Sequence, residues 1–212
     1  MPSIPFPIGT GRRERKRLQT LDHLAATAFA LFEQHGYDAV TMEQIAAQAD
    51  VSKGTLYNHF PVKEALLAHR FHAELAEGGA QLRPLIEAQA DFASRLSVLL
   101  SASADWCNTR RPYLAAYFRY RFASADLADR SRDADKRSGL EAVFAALIDA
   151  AQRAGELDTR LGAEHLAGLL EYLYLGALMR WLARPDTGPR DLHEGFAAVI
   201  DLFLHGIARK GA

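Results

Sequence analysis

Apolar side chains recur along this chain at three- and four-residue intervals, the period of a helix with one buried face. Leu21, Leu24, Ala25, Ala28, Phe29 and Phe32 form the first stripe and predict a helix from about Arg15 to Gln34. His35-Gly36 closes it, with Gly36 placed as the left-handed residue after a helix end. Thr41, followed three residues later by Gln44, fits a capping box and opens a second, short helix. Asp50-Val51 reads as a tight turn, and Ser52 caps a third short helix from Lys53 to about His59. Pro61 marks the start of a long fourth helix reaching about Ile86, weakened by Gly78-Gly79 and Pro84.

The remaining two thirds continues the helical period. Phe92, Leu96, Leu99, Leu100 and Trp106 make one stripe, and Tyr113, Tyr117, Phe118 and Phe122 predict a separate aromatic helix after Pro112. Leu140, Val143, Phe144, Leu147, Ile148 and Ala151 make another, closed by Gly155. Leu166, Leu169, Leu170, Leu173 and Ala177 lead to Trp181, a break follows at residues 184–189, and Phe196, Val199, Ile200, Phe203 and Ile207 lie on a last helix. The expectation is an all-α fold of about nine helices, with no period-2 strand pattern and no internal repeat.

Composition narrows the class. The 212 residues are 49% hydrophobic and 24% charged, which is a globular balance. No apolar run reaches the roughly 18 residues that a membrane span needs, and the Pro-containing start has no secretory signal pattern. The single cysteine, Cys107, excludes an internal disulfide and a cysteine-rich zinc module, and points to the cytoplasm. A net charge of -1 makes the whole chain a poor polyanion binder, so any nucleic-acid contact must come from local charge. Arg12, Arg13, Arg15, Lys16 and Arg17 supply such a patch, either as a DNA-contacting arm or as a solubilising tail.

The most informative stretch is residues 41–67. Ile45, Ala49, Val51, Leu56 and Phe60 account for the buried side of two short helices joined by a tight turn. That leaves Lys53, Gly54, Thr55, Tyr57, Asn58 and His59 exposed on the second, as donors, acceptors and a flat aromatic. A recognition helix lays such side chains against base edges in the major groove, and helix N-termini offer amides to phosphates. With Thr41, Ile45-Ala46, Val51-Ser52, Gly54, Thr55, Tyr57, Phe60, Lys63-Glu64 and Leu67 in this order, and Gly36-Tyr37 upstream, the sequence resembles the TetR family of bacterial regulators. The resemblance implies that Thr41 and Tyr57 touch phosphate or sugar and that Lys53, Gly54 and Thr55 sit at the major groove. It further implies that Ser52, Asn58 and His59 belong to the same surface and that Lys63 neutralises a phosphate. Asp50 stands where the family often has glycine.

The division expected is a basic leader over residues 1–14, a helix-turn-helix domain over 15–61 and an effector-binding and dimerisation body over 62–212. Two-fold pairing would set two recognition helices about one DNA turn apart. The surplus apolar surface of the last two helices, namely Leu166, Leu170, Leu173, Tyr174, Leu178, Phe196, Phe203 and Ile207, is the expected homodimer interface. Trp106, Tyr113, Tyr117, Phe118, Phe144 and Tyr172 are candidate linings for a small apolar or aromatic effector. The partners expected are a double-stranded operator, that effector and a second copy of the chain, with no membrane and no cofactor. Release from a palindromic operator would follow a shift of the fourth helix. The rival classes are weaker. His69 and His72 near Glu64 and Glu74 match no standard metal motif, and there is no phosphate loop, serine elbow or cysteine nucleophile motif, so an enzyme is not expected.

Overall fold

The computed structural model describes residues 12–123, 139–157 and 160–206, and among these it contains eight helices and no strand. Ile207 and the first eleven residues of the leader lie outside the described residues. The chain forms two compact units, one through Leu75 and one from Ala76.

The first unit holds α1 (Arg12–His35), α2 (Met42–Gln48), α3 (Lys53–His59) and the first half of α4 (Lys63–Glu87). α1 begins three residues ahead of the expected Arg15, so the basic residues from Arg12 onward are helical. Its inward stripe is the one the period marks: Leu21, Leu24, Ala25, Ala28, Phe29 and Phe32 are all buried. Gly36 ends the helix at φ +83, with its amide bonded back to Phe32 O at 2.9 Å. Met42, Ile45, Ala46, Leu56, Phe60, Leu66, Leu67 and Phe71 complete this core. The Phe29 and Phe71 rings meet edge to face at 6.0 Å.

The second unit is built from α5 (Phe92–Ala123), α6 (Leu140–Arg153), α7 (Ala163–Leu182) and α8 (Pro189–His205). α6 runs against α7, and α8 against both α5 and α7. Glu156, just past α6, accepts from the Phe92 amide and from Arg95 Nη1, which ties the start of α5 to the end of α6. Gly155 supplies the left-handed turn at φ +75 that brings Glu156 there.

One expected break does not occur. The aromatic segment after Pro112 is the second half of α5, not a ninth helix. An interior proline removes one helical hydrogen bond and crowds the preceding turn, at about 3 kcal/mol. Tertiary contacts on either side offset that cost. Arg111 donates to Arg184 O at 2.7 Å and to Thr187 Oγ1 at 2.7 Å, and its guanidinium stacks 4.3 Å from the Trp181 ring centroid. Tyr113, Leu114 and Tyr117 then bury the continuing face.

α7 also differs from its expected orientation. Ala167, Leu170, Tyr174, Leu178 and Trp181 point inward, while Leu169 is 45% exposed. No helix among the described residues is long and apolar enough to cross a membrane.

Candidate nucleic-acid interface

Two N-caps and one left-handed turn build the site. At α2, Thr41 Oγ1 accepts from the Gln44 amide at 3.2 Å and Gln44 Oε1 accepts from the Thr41 amide at 2.8 Å, closing the expected capping box. At its other end the Asp50 amide reaches Ala47 O at 3.3 Å and the Val51 amide reaches Ala46 O at 3.0 Å. That pair of bonds requires a left-handed residue between them, and Asp50 adopts φ +54. The turn therefore forms without glycine. Ser52 then caps α3, its Oγ accepting from the Thr55 amide at 3.1 Å and lying 2.8 Å from Thr55 Oγ1.

Leu56 is fully buried beneath α3 and Phe60 closes its end, which fixes the opposite face outward. On that face Lys53, Gly54, Tyr57 and Asn58 are exposed, and Thr55 and His59 are half-buried at its edges. Tyr57 leaves 43% of its surface open. An added Cβ at Gly54 would meet nothing closer than Ser52 Oγ at 3.8 Å, so the fold itself does not call for glycine there.

Two charges are engaged in ways the sequence did not signal. Lys53 Nζ lies 3.6 Å from Glu43 Oε1, an exposed pair across the helix-turn-helix. Glu43 was no candidate, because only the crossing of α2 over α3 brings it near. Lys63, expected to neutralise a phosphate, is half-buried and donates to the carbonyls of Tyr37 and Val40. His69 Nε2 sits 2.7 Å from Asp22 Oδ1, which joins α4 to α1. Among the described residues no three His, Cys, Asp or Glu side chains are grouped to hold a metal.

In the second unit the proposed effector-lining aromatics separate. Tyr113, Tyr117 and Phe144 are buried, Trp106 and Phe118 half-buried, and Tyr172 is 63% exposed, facing away from the core. Tyr174 is the centre of the buried group. Its ring stacks on Phe196 at 4.7 Å, its hydroxyl lies 2.8 Å from Ser103 Oγ, and Cys107 Sγ is 3.9 Å from it. Burial raises the Cys107 thiol to about 11, against opposing hydrogen bonds from Tyr174 and Ser103, and raises the Tyr174 phenol well above its ordinary value. Cys107 is thus a protonated, buried thiol at neutral pH. Of the expected dimer residues, Leu170, Tyr174, Leu178 and Phe196 are buried within the single chain and have no surface left for a second copy. Leu166, Leu173 and Phe203 are half-buried.

A short capped helix, held by a left-handed turn against a second and open to solvent on its polar face, defines a helix-turn-helix DNA-binding protein. Residues 24–69 match the model of the bacterial regulatory proteins of the tetR family. The chain is 25% identical over 177 residues to the HTH-type transcriptional repressor KstR of Mycobacterium tuberculosis, covering 84% of this chain and 76% of KstR. A shorter stretch of 58 residues is 43% identical to the HTH-type transcriptional regulator TcmR of Streptomyces glaucescens, 27% of this chain and 26% of that one. Among solved structures, Thermus thermophilus FadR, a TetR family transcriptional repressor in complex with lauroyl-CoA, superposes with a TM-score of 0.76 at 26% identity. That match covers 91% of this chain and 97% of that one. Residues 24–69 thus match a TetR-type DNA-binding domain, the rest of the chain is similar to TetR-type repressors in fold, and the chain is a DNA-binding transcriptional regulator.

Proposed function

We propose that this regulator is a homodimeric cytoplasmic repressor that binds a palindromic operator and leaves it when an apolar effector enters the second unit. The observation that carries the DNA reading is the polar, solvent-open face of α3 above the buried Leu56, flanked by the caps Thr41 and Ser52. Lys53, Gly54, Thr55, Tyr57, Asn58 and His59 form the base- and backbone-contacting set, and Thr41 and Ser52 lie where phosphates pass. The dimer reading draws on apolar side chains left open among the described residues. Leu169 and Tyr172 on α7 and Leu202 on α8 are exposed, with Leu166, Leu173 and Phe203 beside them. Gly176 continues the α7 stripe and gives a neighbouring helix room to approach.

The effector reading draws on the buried aromatic group around Tyr117, Phe144 and Tyr174, and on the T. thermophilus neighbour bound to lauroyl-CoA. A long-chain acyl thioester is therefore the first effector class to test. Displacement of α4, which carries Leu66, Leu67 and Phe71 in the first unit, is the proposed route to the helix-turn-helix.

The test is selection of duplexes from a randomised pool by the full-length chain. The expected result is one enriched two-fold-symmetric sequence, bound in a salt-dependent manner and released by lauroyl-CoA but not by coenzyme A alone. No enrichment over a random duplex would overturn the regulator reading, and retention of the duplex at saturating lauroyl-CoA would overturn the effector class.

A further inference from the structure

The first turn of α4 holds a half-buried ammonium group against the protein's own main chain. Lys63 Nζ donates to Tyr37 O at 2.6 Å and to Val40 O at 2.9 Å, and lies 4.2 Å from the centroid of the Tyr37 ring. An ammonium has three N–H donors, so two are committed to main-chain carbonyls and the charge faces an aromatic quadrupole. All three contacts are to the loop between α1 and α2. The residue after Val40 is Thr41, whose hydroxyl and amide are both bonded to Gln44 in the first turn of α2. From Lys63 to the start of α2 the connection thus runs through main chain and a closed capping box. Lys53 on α3 contrasts with it, with 67% of its side chain exposed.

We propose that Lys63 is a positioning residue of the DNA-binding unit: its two carbonyl bonds fix the first turn of α4 to the N-terminus of α2. It thereby sets where Thr41, and α3 packed behind α2, stand relative to α4. Its charge is satisfied inside the protein rather than on DNA. A movement of the first turn of α4 is then carried to α2 through Nζ instead of being absorbed by the Tyr37–Val40 loop.

This inference rests on the DNA-binding reading, so the test starts from the duplex that the wild-type chain selects from a randomised pool. A wild type that selects nothing marks failure of that reading, not of this one. Affinity for the duplex is measured from about 50 to 200 mM salt for the wild type, Lys63→Met and Tyr37→Leu. Each lysine withdrawn from a phosphate lowers the slope of log affinity against log salt by about 0.9. The expected result is that Lys63→Met binds at least about tenfold more weakly at every salt, with the slope unchanged, because two charge-assisted bonds are lost without loss of a phosphate contact. Tyr37→Leu keeps the charge, removes the ring beneath it and is expected to weaken binding in the same way. A slope reduced by about 0.9 per chain in Lys63→Met, with Tyr37→Leu binding like wild type, overturns the proposal. So does unchanged affinity in Lys63→Met. Should Lys63→Met not fold, Lys63→Arg decides. It keeps the charge on a longer, planar head, and is expected to weaken binding and to speed amide exchange at Gln44. Wild-type affinity and exchange in Lys63→Arg overturn the proposal.

Discussion

At Gly54 the requirements of the fold and of the proposed DNA contact can be told apart. It is the second residue of α3, a helix of seven residues, where alanine is favoured over glycine by up to about 1 kcal/mol. Steric cost within the protein does not offset this, since a Cβ would sit 3.8 Å from Ser52 Oγ, an ordinary contact. Gly54→Ala is therefore expected to raise unfolding free energy by about 0.5–1 kcal/mol, read as a higher urea midpoint at unchanged slope. Its effect on DNA binding should have the opposite sign. If the start of α3 meets the major groove, the added methyl enters an already closed contact, at about 1–3 kcal/mol by analogy with overpacked cores. That corresponds to roughly 5- to 150-fold weaker binding of the selected duplex. The two measurements on one purified variant then move apart, stability upward and affinity downward. Wild-type affinity in Gly54→Ala would refute the placement of this backbone against DNA. A lowered urea midpoint would refute the claim that the protein leaves space at this position.

Three further outcomes follow from other parts of the molecule. The folded chain holds the Cys107 proton up to about 11 against an ordinary 9.0, so between those values it binds more protons than the unfolded chain. The associated stability, about 2–3 kcal/mol, is intact below pH 9 and lost as pH rises toward 11, with Tyr174 adding in the same direction; urea unfolding across this range should decline less steeply in Cys107→Ala. At Asp50, φ +54 makes Asp50→Val costly by about 1–2 kcal/mol, whereas Asp50→Gly should lie within about 1 kcal/mol of wild type. Both remove the same charge, so equal urea midpoints for the pair would contradict the left-handed turn. Glu43→Gln frees Lys53 from an exposed ion pair and should tighten duplex binding by no more than about fivefold, with a steeper salt slope. Weaker binding in that variant would show that Glu43 assists DNA contact instead.

The helices of the first unit are legible in the sequence because each carries its own punctuation. Gly36, the Thr41–Gln44 pair and Ser52 are local signals, and each makes the bond its residue type favours. α5 is not legible at Pro112, because what carries it through is Arg111 bonding to residues more than seventy positions away. α7 is legible as a helix but not in its orientation. Leu166, Leu169, Leu170 and Leu173 share one stripe while Ala167, Tyr174, Leu178 and Trp181 line the face beside it, so apolar residues cover much of α7 and periodicity cannot separate the buried face from the face left open. The same limit applies to charge. Lys53 and Lys63 look alike in the sequence, and only the path of the loop before α2 makes one a surface cation and the other an internal tie.

The open stripe on α7 and α8 bears on dosage. Leu169 and Tyr172 on α7 and Leu202 on α8 each leave apolar area open to water, and pairing of two chains through these helices would hide it. Once occupancy of a two-fold operator requires the pair, it depends on the square of the chain concentration wherever single chains predominate. A modest drop in synthesis or a rise in degradation then empties the operator disproportionately. The regulated genes would respond to the abundance of this protein as a threshold rather than a proportion, and three side chains at a helix surface would set where that threshold lies.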